Sequence, residues 1–307
     1  MPTGFRPIVL ASNVREVDWK SLSPQEWAIP VFILLMVVER LSFRFLPDPG
    51  ERGYTLKDTA TSIAMGLGSL VFDGVIGLAT GLATIWCAHV TPLHVPDNGW
   101  LGWAAVFVGW DICYYWAHRA EHEIRFLWAA HVVHHSSQRY NLSTALRQSW
   151  TDQATFVFYL PLALLGVDLK VIATVGGFNL IYQFWIHTER IGTMWRPIEL
   201  VMNTPSHHRV HHGSNPQYLD RNYGGVFIVW DRLFRTFEPE VEPVRYGLTT
   251  NIESFNPLWV AFHEYVAIGR DLRRARSWGD RAGYLFRGPG WAPAGSDLTT
   301  APRTAAA

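Results

Sequence analysis

The chain has 307 residues, of which 49% are hydrophobic, 14% aromatic and 17% charged, and its 26 basic side chains balance its 26 acidic ones. A charged fraction below the roughly 25% of soluble domains favours a membrane-embedded protein, and the zero formal net charge argues against a nucleic-acid partner. The two cysteines, Cys87 and Cys113, both lie in apolar runs, which argues against a disulfide framework and a cysteine-based zinc site.

After an N-terminal segment of residues 1–24, four apolar runs approach the length of about 20 residues that a helix needs to cross a membrane. The predicted spans are 27–45, 60–90, 100–117 and 155–186. The fourth run is too long for one helix and is interrupted by GVDLK, so we expect a hairpin of two short helices, 155–167 and 171–186. A single tilted span is the alternative. The sequence thus predicts an all-α integral membrane protein with about four to five membrane-crossing helices.

The distribution of arginine and lysine orients these spans. The loop at 91–99 contains neither residue, whereas the segments 39–58 and 118–150 contain four each. Because positive charge is enriched in cytoplasmic loops, the two basic segments are expected on the cytoplasmic side.

Histidines are concentrated in three motifs: HRAEH at 118–122, HVVHH at 131–135 and HRVHH at 208–212. Residues three or four positions apart share one face of a helix, so each motif presents its imidazoles to a common point. Eight imidazoles exceed the four ligands of one zinc site, which predicts two metal ions; iron, zinc and copper all suit nitrogen ligands. The predicted ligands are His118, His122, His131, His134, His135, His208, His211 and His212.

Two further histidines are weighed as ligands. His187 directly follows the fourth run, and in a hairpin it returns to the side of the three motifs as a ninth ligand. His207 precedes the third motif and is either a ligand or only a neighbour, whereas His263 is expected to be a surface or packing residue.

Two carboxylates are candidate catalytic residues. Asp111 lies seven residues before His118, on the same helix face, where it could accept the ring N–H of a ligating histidine. Glu123 adjoins His122 and could assist proton transfer or contact a cofactor. The alternative for both is an ordinary interfacial acid.

Four aromatic residues near the motifs are either the lining of a lipid path or part of an interfacial aromatic belt. They are Tyr114, Tyr115, Trp116 and Trp128.

The motifs and their flanks resemble the fatty acid hydroxylase/sterol desaturase superfamily of integral membrane oxygenases, and within it most closely the alkylglycerol monooxygenase family. The resemblance extends over about residues 100–265 and is carried by YYWAHRAEHE, LWAAHVVHHSSQRYNLSTALRQS, FNLIYQFWIHTE and NTPSHHRVHHGSNPQYLDRNYGGVFIVWDRLFRTFE. It implies a membrane and di-iron domain over 25–270, in which a cytosolic helical cap holds two iron ions through the eight motif histidines, with His187 added.

The resemblance also implies an enzyme that uses O2 and two electrons to hydroxylate a lipid C–H bond. For the alkylglycerol monooxygenases the lipid is an ether and tetrahydrobiopterin is the reductant; a redox protein is the alternative electron donor. A sterol, carotenoid or fatty acyl hydroxylase or desaturase is the alternative enzyme, and a non-enzymatic membrane metal-binding protein is the alternative outside catalysis. Residues 271–307 are predicted to be a C-terminal tail whose last part, rich in Pro, Ala and Thr, is disordered.

Overall fold

The computed structural model describes residues 24–95 and 99–294. Nearly all of the predicted N-terminal segment lies outside the described residues. The end of the predicted tail, with its expected disorder, lies outside them as well.

The described residues form eleven α-helices and two 3-10 helices, and they contain no β-strand beyond two isolated bridges. The predicted all-α class is confirmed. The α-helices are α1 Pro24–Phe45, α2 Leu56–Val90, α3 Gly99–Glu123, α4 Arg125–His135, α5 Leu160–Leu164, α6 Leu169–Trp185, α7 Arg196–Val201, α8 Pro205–His211, α9 Val229–Phe234, α10 Pro257–Arg274 and α11 Trp278–Phe286; the 3-10 helices are Thr144–Leu146 and Asp152–Phe158.

Helix α2 is the one described helix that is long and apolar enough to cross a membrane by length and composition. Its 35 residues extend over about 52 Å, more than the roughly 30 Å of a hydrocarbon core. Only 6% of the residues in its most apolar stretch are buried. The apolar side chains of α1 are exposed in the same way, among them Leu34 and Val38. Such exposed apolar surface is typical of a membrane or partner-binding surface.

The fourth apolar run is broken where its central charges predict a break. Its first arm is a 3-10 helix followed by the five residues of α5, and α6 begins at Leu169 after Asp168 accepts a hydrogen bond from the Lys170 amide at 2.7 Å. Gly166 has φ +77°, and an added Cβ would lie 1.8 Å from the carbonyl oxygen of Leu93. Only glycine fits this turn, which sends α6 back against α1 and α3.

Buried ion pairs attach α10 to α4, the helix that carries the second histidine motif. Arg125, at the start of α4, donates to Glu264 and Asp271 of α10, each at 2.7 Å. Helix α10 therefore continues past the predicted domain boundary at 270, and α11 lies within the segment predicted as a tail. Ser277 and Asp280 form a capping box that begins α11.

Candidate metal centre

Four elements bring nine imidazoles together. The last turns of α3 carry His118 and His122, and α4 carries the second motif. The third motif lies on α8 and the residue that ends it, while His187 follows the end of α6 by two residues. Because α6 is the returning arm of the hairpin, His187 comes to the same place as the three motifs, as that interpretation expects.

The nine imidazoles form two adjacent groups in which the possible ligand atoms lie within 4.8 Å of one another. The five-histidine group consists of His118, His122, His131, His135 and His211, and the four-histidine group of His134, His187, His208 and His212. The two groups touch, since the ring centroids of His135 and His212 are 4.4 Å apart.

Within each group the Nε2 atoms converge. In the five-histidine group, Nε2 of His131 lies 3.0 Å from Nε2 of His118 and 3.1 Å from Nε2 of His135. In the four-histidine group, Nε2 of His187 lies 3.1 Å from that of His134 and 3.0 Å from that of His208. Nitrogen atoms that point at one another around a small space are the arrangement that a metal ion requires.

The chemistry of these side chains fits a metal. Burial lowers the pKa of His118 to about 3 and the pKa of His187 to about 4, so both rings are neutral near pH 7 and have a lone pair for an ion. Within the described residues, Nε2 of His122, His211 and His212 is buried without a hydrogen-bond partner. Buried nitrogen atoms are normally paired, and coordination of an ion would satisfy these three.

Backbone carbonyls fix the other ring nitrogen of several histidines. Nδ1 of His118 donates to the carbonyl of Tyr223 at 2.8 Å, and Nδ1 of His187 donates to that of Gln183 at 2.7 Å. His211 donates in the same way to Arg221 at 3.0 Å. A proton held on Nδ1 leaves Nε2 as the ligand atom and sets the orientation of the ring.

Asp111 is not placed where the sequence predicts it. Its buried carboxylate accepts hydrogen bonds from the Val226 and Phe227 amides, from Trp230 and from Asn179, at 2.7–3.1 Å. None of these partners is a histidine, so the predicted contact with a ligating imidazole is wrong. The carboxylate is instead engaged by a loop and a helix that the seven-residue spacing to His118 does not reveal.

Glu123 also lies away from the imidazoles. Its side chain is 49% exposed and pairs with Arg119 at 2.8 Å. Glu121 takes the position expected for Glu123: it is buried, and its Oε2 lies 3.4 Å from Nδ1 of His131. Helical geometry could have found it, since a residue three positions after His118 lies about 60° from it around the helix, whereas one five positions after lies about 140° away.

The two remaining motif neighbours have other partners. Nε2 of His207 lies 2.8 Å from Oε2 of Glu199, and His207 is outside both groups. His263 is a buried packing residue, as expected, whose Nδ1 donates to the Val260 carbonyl at 3.0 Å.

The four aromatic residues do not share one role. The ring of Trp128 is buried and packs against His122 at 5.2 Å, and the ring of Tyr114 lies 5.2 Å from His118. Tyr115 is buried, whereas Trp116 is 41% exposed.

An apolar cavity of about 280 Å³ lies between α4, the 3-10 helix at Asp152–Phe158 and α10. Its lining includes Phe126, Ala130, Phe262 and Tyr265, and also Glu121. Because Glu121 faces His131, one residue separates the cavity from the five-histidine group.

A family model described as fatty acid hydroxylase matches residues 103–236, which contain all nine imidazoles. Alkylglycerol monooxygenase of Homo sapiens is 42% identical over 300 residues, which cover 94% of this chain and 66% of that protein. The same-named protein of Danio rerio is 50% identical over 269 residues, covering 87% and 59%. Ornithine lipid hydroxylase of Rhizobium tropici is 31% identical over 142 residues, covering 45% and 43%.

This chain thus spans about two thirds or less of the length of these curated relatives. No solved structure matches it. The match to the family model and the identity over most of the chain include all three histidine motifs and His187. The chain therefore belongs to the fatty acid hydroxylase family.

Proposed function

We propose that the protein is a membrane-bound non-haem di-iron oxygenase that hydroxylates a lipid C–H bond with O2. The observation that carries the proposal is the pair of adjacent groups of buried imidazoles, nine in all. When bound, two iron ions would supply the O2 activation that an unreactive alkyl C–H bond requires. The histidines would hold these ions, and their carbonyl partners would keep the rings oriented.

The substrate we propose is an alkylglycerol ether lipid, the substrate class in the names of the most similar relatives described above. One oxygen atom of O2 enters the C–H bond beside the ether oxygen, and the other leaves as water with two electrons and two protons from a reductant. The resulting hemiacetal breaks into an aldehyde and glycerol. Tetrahydrobiopterin is the proposed reductant, and a redox protein is the alternative.

The surroundings of the histidines support a lipid substrate. The cavity that reaches Glu121 is lined mainly by apolar side chains, as an alkyl chain requires. The long exposed apolar surfaces of α1 and α2 suit a protein that takes its substrate from the bilayer. We further propose that about four to five helices cross the membrane, with the histidines in a cap on the cytoplasmic side.

The test is performed on the full chain in lipid nanodiscs, purified without chelators or a histidine tag. We expect about two iron ions per chain, and O2- and pterin-dependent conversion of alkylglycerol in preference to ornithine lipid, sterol, carotenoid or fatty acid. His134→Ala should abolish turnover and lower the iron content. His263→Gln, a buried histidine outside both groups, should retain both.

Two results would contradict the proposal. Full turnover in His134→Ala would show that the histidine groups do not serve the reaction. Stoichiometric zinc in the purified protein, with no iron uptake on reconstitution, would indicate the non-enzymatic metal-binding alternative. A third result, conversion of a sterol, carotenoid or ornithine lipid in place of alkylglycerol, would support the proposed hydroxylation but contradict the proposed substrate.

A further inference from the structure

The two histidine groups differ in what holds the ring nitrogen that faces away from the ion site. In the four-histidine group, carbonyls face Nδ1 of two histidines, that of Gln183 for His187 at 2.7 Å and that of Arg147 for His134 at 3.4 Å. In the five-histidine group, carbonyls hold Nδ1 of His118 and His211 in the same way, but a carboxylate, that of Glu121, faces Nδ1 of His131.

The geometry of His131 leaves only one nitrogen for Glu121. Its Nε2 faces Nε2 of His118 and His135, at 3.0 and 3.1 Å, and is therefore the ligand atom. Its Nδ1 lies 3.4 Å from Oε2 of Glu121, whose side chain is 10% exposed. The Glu121 carboxylate and the expected ion position thus lie on opposite sides of the His131 ring.

A carboxylate affects a metal ligand more strongly than a carbonyl does. Opposite a bound ion, its negative charge makes the imidazole more basic and offsets the charge of the ion behind the ring. The effect is large where water is excluded, because charges interact more strongly at low dielectric constant. A second carboxylate, Asp220, lies 3.6 Å from Nδ1 of His122, but its side chain is 49% exposed and water screens its charge.

We propose that Glu121 is a positioning residue that orients His131 and makes the five-histidine group the tighter of the two metal sites. The two groups then fill one after the other, the five-histidine group first. The inference rests on the proposed function only in that the histidines hold two ions; it does not depend on the reaction or the substrate.

The test is a titration of the metal-free full chain in nanodiscs with Co²⁺, whose absorption spectrum reports the ligands of each ion. We expect two successive phases in the unmodified protein. Glu121→Gln, which keeps the shape but removes the charge, should weaken the tighter phase about 10- to 100-fold and leave the weaker phase unchanged. Glu123→Gln is the matched control in the same helical turn, and both phases should be unchanged because Glu123 pairs with Arg119 at the surface.

The outcomes separate this inference from the proposed function. Two ions bound with equal affinity, or a Glu121→Gln titration that matches that of Glu123→Gln, would overturn the inference and leave the oxygenase intact. Failure of the unmodified protein to bind two ions would overturn both. Thermal unfolding of the metal-free variants verifies folding; if Glu121→Gln does not fold, Glu121→Asp, which keeps the charge at a greater distance, should show a smaller loss in the same phase.

Discussion

At the scale of single residues, the hydrogen bonds of Asp111 connect several elements around the histidines. Asp111 is fully buried and accepts four hydrogen bonds, from Asn179 of α6, from the amides of Val226 and Phe227, and from Trp230. It therefore ties α3 to α6 and to the loop that follows Tyr223, whose carbonyl holds His118. We therefore expect Asp111 to act on the histidines only through the position of this loop.

Asp111→Asn should therefore destabilise the protein. Each carboxylate oxygen accepts one bond from a backbone amide and one from a side chain, and an amide NH2 in place of either oxygen cannot accept them. Hydrogen bonds to a charged acceptor contribute about 1.5–3 kcal/mol. We expect the free energy of unfolding to fall by about that amount, measured as a lower thermal midpoint in nanodiscs. Glu123→Gln is the surface control, and an equal midpoint in the two variants would contradict the assigned role of Asp111.

The sequence predicts well which histidines form the two groups, but it predicts poorly which carboxylates lie beside them. Spacing of three and four residues places the motif histidines on common helix faces, and the structure brings all of them together with His187. The partners of Asp111 lie more than 60 residues away along the chain, and no local pattern reveals them. Glu123 adjoins His122 along the chain, but the angle around the helix, not adjacency, decides which acid faces the imidazoles, and that acid is Glu121.

At the scale of elements, the apolar cavity depends on three helical segments packing beside the five-histidine group. Ala130 is buried at its wall, directly before His131, whereas Phe262 closes it from α10. If the cavity takes the alkyl chain of the substrate, the volumes of these two side chains set the length of chain that fits.

Ala130→Phe should thus shift the preference towards shorter alkyl chains, and Phe262→Ala should shift it towards longer ones, each by about 10-fold or more in relative kcat/KM. A larger side chain at position 130 occupies space that the alkyl chain of the substrate would fill, and a smaller side chain at position 262 leaves additional space for it. The measurement is competition between alkylglycerols of different chain length, with metal content as the control. If both variants keep the chain-length profile of the unmodified protein, the alkyl chain does not bind in this cavity.

The sequence predicts helices well where the apolar pattern is long, and less well where tertiary contacts determine the local structure. The runs that predict spans at 27–45, 60–90 and 100–117 coincide with α1, α2 and α3. The first arm of the hairpin is shorter than predicted because the 3-10 helix takes its start. The segment beyond 270 has a polar composition typical of a tail, yet Asp271 is held by Arg125 of α4, a contact that only the folded chain reveals.

At the scale of the whole molecule, the histidines lie at one end of the long helices. From Gly99 to His118, α3 extends about 28 Å, close to the roughly 30 Å of a hydrocarbon core. The α1–α2 loop lies at the histidine end, where the Arg52 amide donates to Glu189 at 3.1 Å. The α2–α3 loop lies at the hairpin tip, where the Val95 amide donates to the Leu165 carbonyl at 3.1 Å.

This arrangement predicts which loops are reachable from each side of the membrane. In a background of Cys87→Ala and Cys113→Ala, Asp48→Cys should react with an impermeant maleimide only in inside-out vesicles, because the proposed orientation places the basic end of α1 in the cytoplasm. His94→Cys should react only in intact cells. Reaction of both from the same side would contradict the crossing of α2, and the reversed pattern would place the histidines on the outer side. The expected pattern requires α2 to cross the membrane, with the nine imidazoles at its cytoplasmic end.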